Sequence, residues 1–255
     1  MIERVFDAGN GGKSGGAAAM ADVRPHLIAP DALTRQVLPV ADPLVRLFPH
    51  GGLERGSAVS LSGSAATSLM LAVIAAASSA GSWTAIVGLP TLGLAAMSPA
   101  GVDPTRVLLV DRVPPAQWAK VLAVVVAAVD LVVIGSPGAV GSTRPAASLP
   151  PRMGRRLGTT LRERSTVLLS VHSDIPGLDP SLRLEARGGE WEGLGSGHGH
   201  LSARRVEVVR TGRGSARPLT EWFWLPDPAG RVDVADPPGT GADVLRWPGR
   251  SGTPT

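Results

Sequence analysis

Continuous aliphatic runs, with no polar alternation, recur at residues 58–61, 84–87, 107–110, 131–134 and 166–171. Their length suits strands, and the missing alternation implies burial on both faces, as in a parallel sheet covered by helices. Stretches of helical length lie between them, at 67–80, 92–101, 117–129 and 152–164, with Gly81 and Gly101 stopping the first two. This alternation of strand and helix predicts an α/β fold with a mostly parallel central sheet flanked by helices. After residue 174 the rhythm changes. Residues 182–187, 204–210 and 219–225 alternate apolar and polar positions between Gly-rich turns, which predicts antiparallel strands at the C-terminal end with one face toward water. Upstream, residues 37–48 read as a short helix after an X-Pro turn, and 50–56 as a Gly-rich turn. The expected organisation is a flexible arm over 1–36, a single domain over 37–225, and a Pro/Gly-rich, disordered tail over 226–255. No internal repeat is visible.

Composition narrows the chemistry. Hydrophobic residues make up 44% of the 255, enough for a sizeable core. Aromatics are only 4% and Tyr is absent, so Ala, Val and Leu must build that core. The absence of Cys excludes disulfides, thiolate metal sites and Cys nucleophiles. The net charge of +4 is carried almost wholly by Arg, since Lys13 and Lys120 are the only lysines. A charge that small selects no polyanionic partner by itself; its distribution matters more. No charged residue falls between Arg55 and Asp103, and residues 69–89 have the length of a membrane span. Ser78, Ser79, Gly81 and Ser82 interrupt that stretch and Pro90 closes it, so it reads as buried helix, glycine stop and buried strand, with no membrane partner. The N-terminus lacks the long apolar core of a signal peptide, and Met20 is a second candidate start.

The turn GSAATSLM at residues 63–70 follows the first aliphatic strand and opens the first helix. That is the place of a phosphate-binding G-x-x-x-x-G-K-[ST] loop. With FPHGGLERGSAVSLSG at 48–63, RRLGTTLRERSTVLLSVHSD at 155–174, SLRLEARGGEW at 181–191 and RRVEVVRTGRG at 204–214, the chain resembles the ATPase core of RecA-type recombinases over roughly residues 37–225. The resemblance implies a RecA-like core, and it also identifies what has changed. Gly63 is retained, but Ser68, Leu69 and Met70 stand where Gly, Lys and Thr grip phosphate and Mg²⁺. Pro90 falls at the catalytic Glu position, Gly135 at the metal-binding Asp position, and His172-Ser173 at the sensor Asn-Gln. Asp130 precedes its strand, at the wrong end to hold a metal. With metal ligand, general base and γ-phosphate cation all replaced, the expectation is no ATP hydrolysis and no cofactor, and Leu69 and Met70 are expected to pack in the core. Weak nucleotide binding through backbone N–H groups at the helix N-terminus stays open.

In the recombinases two loops contact DNA. The first corresponds to residues 136–151, so Arg144 and the following Arg152, Arg155 and Arg156 are candidate contacts to a nucleic-acid backbone, or else a solvated helix face. The second is reduced here to SDIPGLDPS at 173–181. His198 and His200 lack a third metal ligand nearby, and Ser60, Ser62 and Ser64 have no His/Asp partner placed to make a nucleophile. In EWFWL at 221–225, Trp222 and Trp224 share one strand face and Phe223 and Leu225 the other, which reads either as a strand buried on both sides or as a partner-binding anchor.

A degenerate, Arg-rich RecA-like core is similar to the actinobacterial ImuA-prime family of mutasome accessory proteins. That resemblance implies an adaptor in translesion synthesis. It would be cytoplasmic, nucleoid-associated when DNA is damaged, and partnered by ImuB (a catalytically inactive Y-family polymerase homologue) and through it by an error-prone C-family polymerase. This reading leaves weak non-specific DNA binding and self-association open; in recombinases an N-terminal arm docks on the neighbour, and the corresponding stretch here is 20–48, with no docking motif visible. The alternative is a SulA-like division inhibitor on the same kind of core, and further off a single-stranded-DNA-binding recombinase paralogue.

Overall fold

Short aliphatic strands bury both faces only if helices cover a sheet on both sides, and the chain does this. The computed structural model describes residues 37–135, 150–194, 199–212 and 217–238. The strands are β1 (Val37–Pro39), β2 (Gly52–Glu54), β3 (Ala58–Ser62), β4 (Thr84–Val87), β5 (Val107–Val110), β6 (Leu131–Ile134), β7 (Val167–Val171), β8 (Leu182–Leu194), β9 (Gly199–Gly212), β10 (Leu219–Trp224) and β11 (Asp233–Val234). The α-helices are α1 (Ala66–Ser79), α2 (Trp118–Ala128) and α3 (Pro151–Arg164). A nine-stranded sheet runs β11-β10-β9-β8-β3-β7-β6-β4-β5. From β8 to β5 neighbouring strands pair parallel; β9, β10 and β11 add antiparallel pairs at the other edge. The mixed α/β class, with a mostly parallel centre and an antiparallel C-terminal end, is the one the hydrophobic pattern predicts.

Each face of the sheet has its own core. On one, α1 packs against Leu61, Val133, Leu169, Leu184, Val206 and Phe223. Helix α1 is apolar nearly all round, and every residue from Leu69 to Ala75 is buried, so it reads as a core helix rather than an amphipathic one. On the other face, α2 and α3 cover Ala58, Ala85, Val87, Val132 and Leu168. Helix α3 buries only Gly154, Leu157, Gly158 and Leu161, one narrow stripe. A Cβ on Gly154 would lie 2.2 Å from the carbonyl oxygen of Pro176, so the glycine lets the 175–178 loop lie directly on the helix.

Local departures from the sequence expectation have identifiable causes. Residues 37–48 form β1 and then a 3-10 helix (Asp42–Leu47), with Pro43 starting the turn; β1 pairs with β2 inside the expected Gly-rich turn. The expected helix over 92–101 shrinks to a 3-10 turn (Leu94–Ala96), since Gly93 and Pro99 bracket too few residues for cooperative helix. Strands β8 and β9 run well past their expected ends, because Gly188 (φ +60°) and Gly189 (φ +119°) form a bulge within the ladder rather than ending it. The chain also stays ordered beyond residue 225: β11 pairs with β10, Asp227 accepts the Ala229 and Arg231 amides, and Ala235 is buried. Residues 1–36 and 239–255 lie outside the described residues. Among those described, no helix is long and apolar enough to cross a membrane.

Candidate functional site

In a phosphate loop the chain must leave the strand, bend so that successive N–H groups converge on an anion, and only then enter the helix. Here α1 begins at Ala66, so the connection from β3 is just Gly63, Ser64 and Ala65. Residues that would cradle phosphate are already helical, and the Leu69 amide donates to Ala65 O at 2.9 Å. Leu69 and Met70 are fully buried in the core, as expected, while Ser68 is half-buried. Gly63 (φ +93°) has a reason of its own: a Cβ there would sit 2.1 Å from Ala186 O on β8. It is the close approach of two backbones that requires this glycine.

The tip of the turn is closed by a side chain from β9. Arg204 donates through Nη2 to Gly188 O (2.7 Å) and Ser64 Oγ (3.2 Å) and through Nη1 to Ser64 O (3.4 Å), while Ser64 Oγ donates to Gly188 O at 3.2 Å. The guanidinium also stacks 5.5 Å from the Trp191 ring, and burial lowers its pKa from the ordinary Arg value. The sequence reading missed this role. Residues 204–210 read in the sequence only as an alternating strand, and the reach of Arg204 to Ser64 follows from the Gly188-Gly189 bulge.

The other positions that the RecA resemblance marks hold no free chemical group. A Cβ on Gly135 would lie 2.3 Å from Gly88 O and 2.6 Å from Leu89 Cγ, so the ends of β4 and β6 meet where a metal-binding carboxylate would stand. Gly88 (φ +69°) is roofed by the buried Trp118 ring, and Pro90 is exposed in the turn beyond. Asp130 sits at the opposite end of β6, buried, where it accepts Arg55 Nη1 (3.2 Å) and the Trp83 amide (3.1 Å). His172 (φ +70°) places Nε2 3.2 Å from Thr67 Oγ1. Ser60 instead donates to Asp174 at 2.5 Å, and Asp174 pairs with Arg183 at 3.5 Å, so Ser60 and His172 belong to separate pairs. Beside the turn lies a mainly apolar cavity of about 200 Å³ lined by Ser68, Leu71, Pro99, Leu225 and Arg231 among others.

Of the candidate nucleic-acid contacts, Arg144 lies outside the described residues. Arg152, Arg155 and Arg156 project from the exposed side of α3, opposite its buried stripe. Among the described residues no carboxylate lies within 4.0 Å of any of them. The last long strand is not buried on both sides. Phe223 and Leu225 are 2% exposed in the core, whereas Trp222 and Trp224 stay half-exposed on the outer face, with the Arg205 guanidinium 4.8 Å over Trp224. His198 lies outside the described residues, His200 is exposed on β9, and no cluster of His or carboxylates among the described residues is arranged to hold a metal.

These features define an α/β protein whose first strand-to-helix turn is closed by a side chain from β9. The chain belongs to the family described as the MT3502 N-terminal domain, whose model matches residues 46–177, from the 3-10 helix before β2 through the loop after β7. A similar protein is the uncharacterized Rv3395c of Mycobacterium tuberculosis, 32% identical over 176 residues, covering 66% of this chain and 80% of that one.

Proposed function

We propose that the protein is a non-catalytic adaptor of the ImuA-prime type, a RecA-like core kept as scaffold in DNA-damage tolerance. Its contacts are with an ImuB-type inactive polymerase homologue and through it with an error-prone C-family polymerase. The observation that carries the reading is the substitution of chemistry by packing: Leu69 and Met70 are core residues, Arg204 closes the turn, and Gly135 has no room for a side chain. Losing any one of these groups could be compensated from elsewhere. Losing phosphate cation, metal ligand and general base together leaves nothing to stabilise transferring charge. What remains are surfaces, of which the α3 arginine row is proposed to contribute weak, sequence-independent contacts to nucleic-acid backbone.

The test is co-purification of the full chain with an ImuB-type homologue, alongside calorimetric titration with ATP and Mg²⁺. The expected outcome is retention of the homologue and no nucleotide turnover. Failure to retain it, or micromolar ATP binding with turnover, overturns the proposal.

A further inference from the structure

Helices α2 and α3 form a layer over one face of the sheet, and that layer stops at β3. Beyond it the same face continues over β8, β9 and β10. The antiparallel register identifies its residues: Arg187, Glu207 and Trp222 stand in one row across the three strands, with Arg205 and Trp224 in the next. Their neighbours Ala186, Val208 and Phe223 point the other way, into the core. Strands are about 4.8 Å apart, so β8 to β10 spans about 10 Å, the diameter of one helix. Among the described residues no helix fills this position.

The charges on the face are almost all spoken for. Arg187 binds Glu185 at 2.8 Å, Arg183 lies 3.5 Å from Asp174 and 3.6 Å from Asp179, and Arg205 lies 3.7 Å from Glu192 while stacked on Trp224. Glu207 differs. It is half-buried between Arg187 and Trp222 and is attracted to the facing Arg187, but among the described residues no cation lies within 4.0 Å of its carboxylate. A half-buried carboxylate across the ladder from one tryptophan and diagonal to a second complements an apolar surface that carries one cation.

We propose that this face of β8, β9 and β10 docks an amphipathic helix of a partner protein, with Trp222 and Trp224 as apolar anchors and Glu207 receiving a Lys or Arg from the apolar side of that helix. Tryptophans in such positions commonly dominate binding energy. The inference rests on the adaptor reading only in taking the occupant to be another protein.

The experiment uses the full chain and a synthetic amphipathic peptide of roughly 18 residues, Leu-rich on one face with a single central Lys, beside the same peptide with a central Glu. Tryptophan fluorescence and indole N–H NMR shifts are read on titration, and far-UV circular dichroism confirms that each variant is folded. The Lys peptide is expected to shift the Trp222 and Trp224 signals and bind at least about 10-fold tighter than the Glu peptide. Glu207→Lys should reverse that preference, and Trp222→Ala should weaken the Lys peptide at least about 30-fold. Indifference to the central charge, or a Glu207→Lys variant that keeps the wild-type preference, overturns the proposal. So does a concentration-dependent dimer lost in Trp222→Ala, which assigns the face to a second copy. Binding seen only after residues 239–255 are removed also overturns it, since it assigns the face to the chain's own C-terminal segment. The peptides test the face without the polymerase homologue, so failure here and failure of the co-purification are separate results.

Discussion

A lysine at Leu69, where the RecA resemblance would place one, should damage the fold before it helps any chemistry. Leu69 has no exposed surface, and the helical neighbours it shares a face with, Ala65, Ala66, Ala72 and Val73, are buried too. Leu69→Lys first forfeits the burial of a leucine side chain, about 1.5–3 kcal/mol. The ammonium must then be neutralised or drag water inward. A buried Lys loses about 3–5 pKa units, but at pH 7 the cost saturates once the amine is neutral, so with 1.36 kcal/mol per unit and an ordinary Lys pKa of about 10.4 it is about 4–5 kcal/mol. The sum, about 6–8 kcal/mol, rivals the whole stability of a typical domain, about 5–15 kcal/mol. Urea unfolding followed by circular dichroism measures the loss. Leu69→Ala, at about 2–5 kcal/mol, separates the cavity from the charge, and Leu69→Met should stay under about 1.5 kcal/mol. The triple change Ser68→Gly, Leu69→Lys, Met70→Thr should show no ATPase activity wherever it remains folded, because Gly135 and Pro90 are untouched. A cost for Leu69→Lys below about 2 kcal/mol, or turnover by the triple variant, would refute the reasoning. Either result would mean that the turn opens to admit a cation and a phosphate.

Gly135→Asp, which puts a carboxylate where the RecA resemblance would place a metal ligand, should lower Tm and confer no Mg²⁺ affinity by calorimetry, since its Cβ would lie 2.3 Å from Gly88 O. Asp130→Ala should cost about 3–5 kcal/mol in urea unfolding, because it strands the buried Arg55 guanidinium without its carboxylate. Changing Arg152, Arg155 and Arg156 together to Ala should weaken single-stranded DNA binding by fluorescence anisotropy and reduce the log–log salt slope by about 2; an unchanged slope removes that helix face from the interaction.

Much of the molecule was legible because it depends on local patterning. The strands at 84–87, 107–110 and 131–134 coincide with the aliphatic runs, since a short apolar run rich in β-branched residues between turn residues has few other stable outcomes. Helices α1, α2 and α3 fall within a residue of their expected bounds. The missing lysine, threonine and carboxylate could be read directly, as these are questions of residue identity. Segments with competing short-range signals were not legible. Pro43, Gly93 and Pro99 decide between 3-10 turns and α-helix only in the presence of the packing they serve. The register of a long hairpin across a two-glycine bulge is likewise settled by pairing and not by composition.

By itself, then, the sequence determined an α/β order of elements and a turn lacking the groups that bind phosphate. Only the tertiary structure decided what stands there instead. Arg204 reaches Ser64 from a strand 140 residues away in the chain. Gly63 and Gly135 are required by backbones that meet from different parts of the sequence, and Trp222 parts from Phe223 because one face of β10 is covered and the other is not. The physical reason is common to all of these: vacancy, closure and exposure depend on pairs of surfaces, and each residue's identity specifies only one member of the pair.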